Sequence, residues 1–344
     1  MGMSVKVAVA GASGNAGGEL LRLIEGHPEL VLGPITAGTQ VGSSVSEVHP
    51  GLAELGDRVF EPTDTAVLEA ADVVFLALPK GHSSRLAAEL TPSVRVVDLG
   101  PDFRLTDPLA WEHYYGGPHP GSWTYGLPEI PGARERIAGA RRVATPGCYA
   151  TAVILALGPL LAAGLIGPDD LVVTAVSGTS SGGRAAKASL SPSDVLGALR
   201  SYTVGATYRN PAEMEQELAT FAKAPVTVSF TPFSVPMPRG IVVSCSARLR
   251  DGTGSDELRA ALAEAYLDER FVRLLPASRW PATAAVTGTN SALLQAGADT
   301  RTGRGVVLSA IDNLGKGAAG QAVQNANLML GLPEDAGLTT RGAS

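Results

Sequence analysis

The fold turns on VKVAVAGASGNAGGELLRLIE, residues 5–25. Residues 5–10 (VKVAVA) are a valine-rich apolar run, read as a strand. Glycines follow at once, at Gly11, Gly14 and Gly17, and residues 19–24 continue as a helical pattern that breaks at Gly26-His27-Pro28. A strand that stops at glycines and resumes as a helix collects open N–H groups and a positive dipole end at one place. The glycines let a backbone approach a pyrophosphate. The spacing G-x-x-G-x-x-G also occurs as a plain tight turn, but its position directly after a strand favours a dinucleotide-binding loop.

Working outward, residues 30–36 (LVLGPIT), 72–78 (DVVFLAL) and 94–99 (VRVVDL) read as further strands, 83–90 as a helix, and 141–145 (RRVAT) as the closing strand of the layer. Near-continuous apolar strands separated by helices indicate a parallel sheet covered on both faces. The second strand ends in Thr36-Ala-Gly-Thr39 rather than in an Asp or Glu that would hold a ribose 2′-hydroxyl. That favours a 2′-phosphate and hence NADP(H), with Thr36 and Thr39 as candidate contacts.

The chain has 344 residues, and one core seldom serves more than ~250–300. Two domains are expected, 1–147 together with 314–344, and 148–313. Lys and Arg number 27 against 33 Asp and Glu, a formal charge of −6. With 45% hydrophobic and 17% charged residues, the composition excludes disorder and argues against a nucleic-acid partner. Two cysteines make no disulfide framework, and the absence of a signal-peptide pattern leads to the expectation of a cytoplasmic protein. Residues 148–168 carry no charge, but Gly158-Pro159 interrupts them and no aromatic belt flanks them, so a helix packed between protein layers is expected rather than a membrane span.

After Cys148 the texture changes to α+β. Residues 171–177, 226–231, 240–249, 283–287 and 306–310 alternate or run apolar, as a mostly antiparallel sheet would, with helices at 211–223 and 255–266. Residues 178–188 are too small-residued for core, 317–330 form a final helix, and the tail from Thr339 reads as disordered.

The chemistry centres on Pro146-Gly147-Cys148-Tyr149-Ala150-Thr151. Proline and glycine make a sharp turn and leave the cysteine at the entry of the apolar helix, where open N–H groups and the dipole favour thiolate. Cys245, inside an apolar strand run, reads as inert core. Cys148 is therefore the candidate nucleophile.

On these motifs the chain resembles the N-acetyl-gamma-glutamyl-phosphate reductase branch of the semialdehyde dehydrogenase family. The matching segments run nearly end to end: GASGNAGGELLRL, DVVFLALPKGHS, DLGPDFRL, YGLPEIPG, PGCYAT, AVSGTSSGG, MPRGI and AIDNLGKGAAGQAVQNANL. The resemblance implies a Rossmann-type doubly wound parallel sheet plus a substrate and dimerisation domain, assembled as a homodimer or homotetramer. It implies NADPH, a cysteine thioester, and reduction of an acyl phosphate to an aldehyde with release of phosphate. By the same resemblance Gly11, Ser13, Gly14 and Gly17 match the cofactor loop; Asn15 and Ala16 lie within it as candidate contacts, Asn15 standing where the family has an aromatic. The segment Asn313–Gly320, with Asn313 and Gly317 as candidate contacts, matches the final loop and helix that return to the first domain beside the nicotinamide, and Ser177, Gly178 and Thr179 match the segment that meets the cysteine. Arginines suit the phosphate and carboxylate of such a substrate. Arg104 and Arg209 are the candidates, each reading equally well as a surface ion-pair partner.

The chain departs from the family where the pattern is His-Arg-His-Thr-Pro-Glu, whose first histidine is the acid/base partner of the cysteine. Here it reads Tyr208-Arg209-Asn210-Pro211-Ala212-Glu213, and no histidine follows His119. Arg209 and Glu213 remain as candidate substrate contacts, and Tyr208 and Asn210 read as parts of a reshaped substrate pocket. Tyr208 donates a hydrogen bond but, with an ordinary pKa of about 10, is a poor base. Asn210 relays no proton, and loss of a general acid/base costs ~10²–10⁴-fold. Lys80 replaces a family histidine and reads either as an anion contact or as a solvated lysine. Three functions stay open: a reductase with altered substrate or proton transfer, an ordinary arginine-pathway reductase, and a catalytically silent NADP-binding paralogue.

Overall fold

β-Branched residues crowd the segments that form the first sheet: β1 (Val5–Ala10), β2 (Leu30–Ala37), the short β3 (Glu61–Pro62), β4 (Val73–Leu76), β5 (Arg95–Asp98), β6 (Thr124–Tyr125) and β7 (Arg142–Ala144). In the computed structural model, which describes residues 4–182, 198–201 and 209–342, these strands lie in the order β3-β2-β1-β4-β5-β7-β6. Every pairing is parallel. The order reverses direction between β1 and β4, and a crevice for ligands opens at the carboxyl ends of strands at such a point. Residues 141–145 do form a strand, but it is not the closing one: β6 lies outside β7. The helices of the chain's first half are α1 (Asn15–Glu25), α2 (Val45–Val48), α3 (Thr65–Leu68), α4 (His82–Glu89), α5 (Pro108–Tyr115) and α6 (Ala133–Gly139).

The second half opens with α7 (Cys148–Ala162), which is apolar on every face and almost wholly buried. It packs on a second sheet and on α8 (Asn210–Ala222) and α9 (Ser255–Ala265). A helix without a polar face must be buried on all sides. No helix of the described residues is long and apolar enough to cross a membrane. The second sheet comprises β8 (Leu171–Ser177), β9 (Arg200–Ser201), β10 (Val228–Ser234), β11 (Ile241–Arg248), β12 (Val272–Leu274), β13 (Ala292–Asp299) and β14 (Arg304–Ile311). Its order is β12-β13-β14-β11-β8-β10-β9, antiparallel except for β12 with β13 and β10 with β8. The last helix is α10 (Gly320–Leu330), preceded by a π-type turn over Gly315–Ala319.

Two local expectations need correction. Residues 283–287 do not form a strand; they contain a 3₁₀ turn, Thr283–Ala285, and the strand comes later as β13. Gln295 interrupts the apolar pattern of β13, yet it is buried because its amide donates to the carbonyls of Pro276 (2.6 Å) and Arg279 (2.9 Å). The tail is not loose at its start, since the carbonyl of Thr339 accepts from the N–H of buried Asn290 at 2.9 Å.

Packing divides the chain into two units. One is Met1–Thr106 with Pro120–Pro146 and Ala318–Leu338; the other is Asp107–His119 with Gly147–Gly317 and Thr339–Ser344. The segment Asp107–His119, with α5, thus lies with the second unit, where the expected division kept 1–147 together.

Candidate active site

The glycine loop of the first unit has a geometric need for each of its outer glycines. Gly11 has φ +79°, and a methyl group there would strike the Ala77 carbonyl just beyond β4. A methyl on Gly17 would stand 2.7 Å from Ala12 Cα and run into the Gly11 carbonyl. Helix α1 starts at a cap, Gly14, that has no side chain to occupy its N–H groups, and its first turn holds no acid. A loop held close to its own backbone at Gly11 and Gly17, leading into a helix start with no acid in its first turn, fits the pyrophosphate of a dinucleotide. Ser13, Asn15 and Ala16 stand half-buried along it.

Thr36 supports this loop through its backbone. Its carbonyl accepts from the N–H groups of Gly11 (3.0 Å) and Ala12 (2.9 Å), while its buried hydroxyl accepts from Thr63 (3.0 Å). Thr39 is exposed beyond the end of β2. His49 is a support that the sequence did not announce. Its ring lies over Gly18, and Nε2 donates to the Ala12 carbonyl at 2.9 Å.

Two other candidates of this unit sit near the ends of β4 and β5. Lys80 is exposed, and half-buried Arg104 donates to the Leu99 carbonyl at 2.7 Å. Beside Arg104 lies Asp98, fully buried, accepting from Ser83 Oγ (2.7 Å) and the Gly100 N–H (2.9 Å). Burial outweighs both bonds and raises its pKa to about 6.

In the second unit Cys148 is the first residue of α7, partly exposed, with Gly147 as the cap. Cys245 is buried in β11, and desolvation pushes its thiol well above the ordinary range. Of the two thiols only Cys148 stands at a helix entry. The turn before α10 presses against it: a methyl on Gly317 would lie 2.7 Å from Cys148 Cβ and 3.3 Å from its Cα. That turn is organised by buried Asp312, which accepts from the N–H groups of Leu314 (2.9 Å) and Gly315 (3.2 Å) and pairs with Arg239 at 2.7 Å. Arg239 and Asp312 were not singled out from sequence, because an acid at a strand end and an arginine after Met-Pro carry no local signal.

Asn313 is nearly buried and braces the same region. Its Oδ1 accepts from the Gly240 N–H (2.7 Å), and its amide donates to Ser180 Oγ (3.0 Å). Ser177, also buried, ends β8, and its carbonyl accepts from the Val235 N–H at 3.0 Å. Gly178 admits no side chain, since a methyl would meet the Met237 carbonyl at 2.8 Å and the Arg239 backbone at 2.9 Å.

The start of α8 holds the remaining candidates. Arg209 is exposed and its guanidinium lies 5.7 Å from the centre of the Tyr115 ring. Half-buried Asn210 begins the helix. Glu213, 2% exposed, accepts from the Gly147 N–H at 2.7 Å. Tyr208 lies outside the described residues, as do 183–188 of the small-residue stretch. Tyr115 stacks on Trp111 at 4.5 Å, and His119 meets Trp111 edge-on at 6.1 Å. The second unit therefore does contain imidazoles, His113 and His119, brought in by α5 and the residues after it. No group of three or more His, Cys, Asp or Glu among the described residues is placed to hold a metal ion.

A glycine-rich loop at the switch point of a parallel sheet, in a chain whose second α+β unit carries a helix-entry thiol, is an arrangement that suits an NAD(P)-dependent oxidoreductase. Residues 6–140 match the semialdehyde dehydrogenase NAD-binding domain, and residues 148–313 match the semialdehyde dehydrogenase dimerisation domain. The chain belongs to the semialdehyde dehydrogenase family. It is 57% identical over 342 residues to the N-acetyl-gamma-glutamyl-phosphate reductase of Acidothermus cellulolyticus, covering 99% of this chain and 100% of that one. It is 52% identical, at the same coverage, to the enzyme of that name from Streptomyces coelicolor. Among solved structures, aspartate semialdehyde dehydrogenase II from Vibrio cholerae shares the fold, with a TM-score of 0.69 at 17% identity over 95% of this chain and 98% of that one. Aspartate semialdehyde dehydrogenase with NADP from Candida albicans does so with a TM-score of 0.67 at 17% identity, over 95% of this chain and 98% of that one.

Proposed function

We propose that the chain is an NADP-dependent reductase that converts an acyl phosphate to an aldehyde through a thioester on Cys148, with N-acetyl-gamma-glutamyl phosphate as its substrate. The single observation that carries this is the contrast between the two thiols. Cys148 stands partly exposed at the start of α7 with Gly317 against it, while Cys245 is sealed in β11. The relatives' common name supports the choice of substrate.

The Cys148 thiolate attacks the acyl carbon, the carbon–oxygen bond to phosphate breaks, and phosphate leaves. NADPH, when bound at the glycine loop, would supply the hydride for reduction of the thioester carbonyl. The carbon–sulfur bond then breaks, the aldehyde departs, and the thiolate is restored on Cys148. The positive end of α7 favours negative charge on the sulfur throughout. Gly11, Gly14 and Gly17 with the first turn of α1 would hold the pyrophosphate. Arg209, exposed on the face of Tyr115, offers an anionic group of the substrate a guanidinium fork.

The finer part of the proposal is a changed proton transfer. Tyr208 occupies the position of the family's acid/base histidine and Asn210 that of the second histidine, and neither is a base at neutral pH, which supports a route that does not use an imidazole at this place. The half-exposed outer face of the second sheet, with Val172, Val176, Val242, Val306 and Leu308, supports assembly of copies through that sheet. Neither cysteine is in a disulfide, which fits a reducing compartment such as the cytoplasm.

The test is phosphate-dependent NADP reduction with N-acetylglutamate semialdehyde and a panel of other aldehydes, for this chain and for Cys148→Ala. Turnover of the acetylated substrate, lost in the alanine variant, is expected. Activity confined to another aldehyde would replace the substrate, and activity surviving in Cys148→Ala would refute the thioester.

A further inference from the structure

The sequence offers Glu213 as a substrate contact, yet its carboxylate is turned onto the protein itself. It sits in the first turn of α8, where Pro211 fixes the helix start, and it is 2% exposed. Its Oε1 accepts from the N–H of Gly147 at 2.7 Å, in a bond buried between two helices that pack side by side. Gly147 is no ordinary backbone site. It caps α7, its carbonyl accepts the first helical bond from the Thr151 N–H at 2.8 Å, and the next residue is Cys148.

We propose that Glu213 is a positioning residue for Cys148, fixing the cap of α7 so that the thiol stands at one place against Gly317. Two consequences follow from the chemistry of that bond. The first is geometric. Gly317 also packs so closely on Cys148 that a methyl there would lie 2.7 Å from its Cβ, so the cap and the π-type turn together leave Cys148 little room to shift. A charge-assisted bond to backbone N–H is among the stronger ones, and leaving the buried donor unmade costs more than a typical bond contributes. The second is electrostatic. A carboxylate at the cap offsets the positive end of α7, the feature that stabilises the thiolate. Glu213 thus exchanges some thiol acidity for a fixed thiol, and it keeps the sulfur a stronger nucleophile once ionised, since nucleophilicity falls with acidity.

This inference rests on the thiol chemistry proposed above, and its first readout needs no substrate. Alkylation of Cys148 by iodoacetamide in the full-length chain, followed by mass spectrometry of the Cys148 peptide from pH 5 to 10, gives a midpoint for wild type, Glu213→Gln and Glu213→Ala. Glu213→Gln keeps an acceptor oxygen but removes the charge, so its midpoint should fall by roughly half to one pH unit. An identical midpoint would overturn the electrostatic part. In the NADP assay Glu213→Ala should lose about 10–100-fold in kcat with KM within about three-fold, since a small misplacement of reacting atoms costs this much. Glu213→Gln should recover most of that loss. A ten-fold or larger rise in KM at unchanged kcat would return Glu213 to substrate binding and overturn the positioning role. Thermal melting of each variant separates these outcomes from simple unfolding.

Discussion

Gly317→Ala tests the geometry of the thiol most directly. The added methyl would stand 2.7 Å from Cys148 Cβ, 3.3 Å from Cys148 Cα and 3.2 Å from the Asp312 carbonyl oxygen. Carbon atoms in good contact keep ~3.5–4.0 Å, so roughly 1 Å must be found. None of the three obstructing atoms is the tip of a flexible side chain. Either the π-type turn retreats or the start of α7 moves and carries the thiol with it. Overpacking of this kind costs about 1–3 kcal/mol, a loss of a few degrees in Tm for a chain of this size. The larger effect falls on rate, because displacing a reacting atom by about 1 Å costs on the order of 10²-fold. The assay is kcat for phosphate-dependent NADP reduction, with Tm measured in parallel. Gly139→Ala is the control: a methyl there meets nothing within 4 Å, so kcat and Tm should match wild type. If Gly317→Ala keeps kcat within three-fold of wild type, the tight approach to Cys148 is irrelevant to turnover and the reasoning fails.

Asp98 gives a stability prediction with a definite sign. Burial raises its pKa from 3.8 to about 6, so the carboxyl's contribution is complete below pH 4 and is lost as pH climbs through about 6. Asp98→Asn keeps an oxygen for Ser83 and Gly100, and should melt level with wild type at pH 4 but higher at pH 8. The gap is at most about 3 kcal/mol, two pKa units at ~1.4 kcal/mol each, and melting curves showing no gap opening between pH 5 and 7 would contradict it. Arg209→Ala should raise the substrate KM at least ten-fold, and Tyr115→Leu about two- to five-fold by removing the ring face beneath the guanidinium; steady-state kinetics reads both. Native protein treated with iodoacetamide should carry one label, on Cys148. Cys245 should react only after denaturation, and early labelling there would contradict its sealed place in β11.

The first sheet was legible because strands covered on both faces read as near-continuous apolar runs, as β1, β2 and β4 do, and because β5 keeps a valine pair between its charged ends. β3 and β6, two residues each, are too short to carry any pattern. β13 was missed because a buried glutamine stands where an apolar residue was expected, satisfied by carbonyls sixteen to nineteen residues away. At the site, Cys148 and the glycine loop announced themselves by local turn chemistry. His49, Asp312 and Arg239 did not, since their roles come from contacts made across tens of residues. The membership of Asp107–His119 in the second unit is likewise a tertiary fact. Nothing in the composition of α5 tells which core will cover Trp111.

The last helix has a consequence for how the protein comes into being. The nucleotide unit draws on Ala318–Leu338, and α10 is buried within it along Gln321, Gln324, Asn325 and Asn327. Asn325 donates to the Gly126 carbonyl, His27 meets Asn327, and Arg134 pairs with Glu334 at 2.8 Å. These partners leave the ribosome roughly two to three hundred residues before α10 does. At ~5–20 residues per second, the growing chain holds a dinucleotide fold with an open flank for on the order of ten seconds or more. During that interval the second unit, from Gly147 onward, is being made in one uninterrupted run. The thiol-bearing half thus has its chain almost complete before the cofactor-binding half can close.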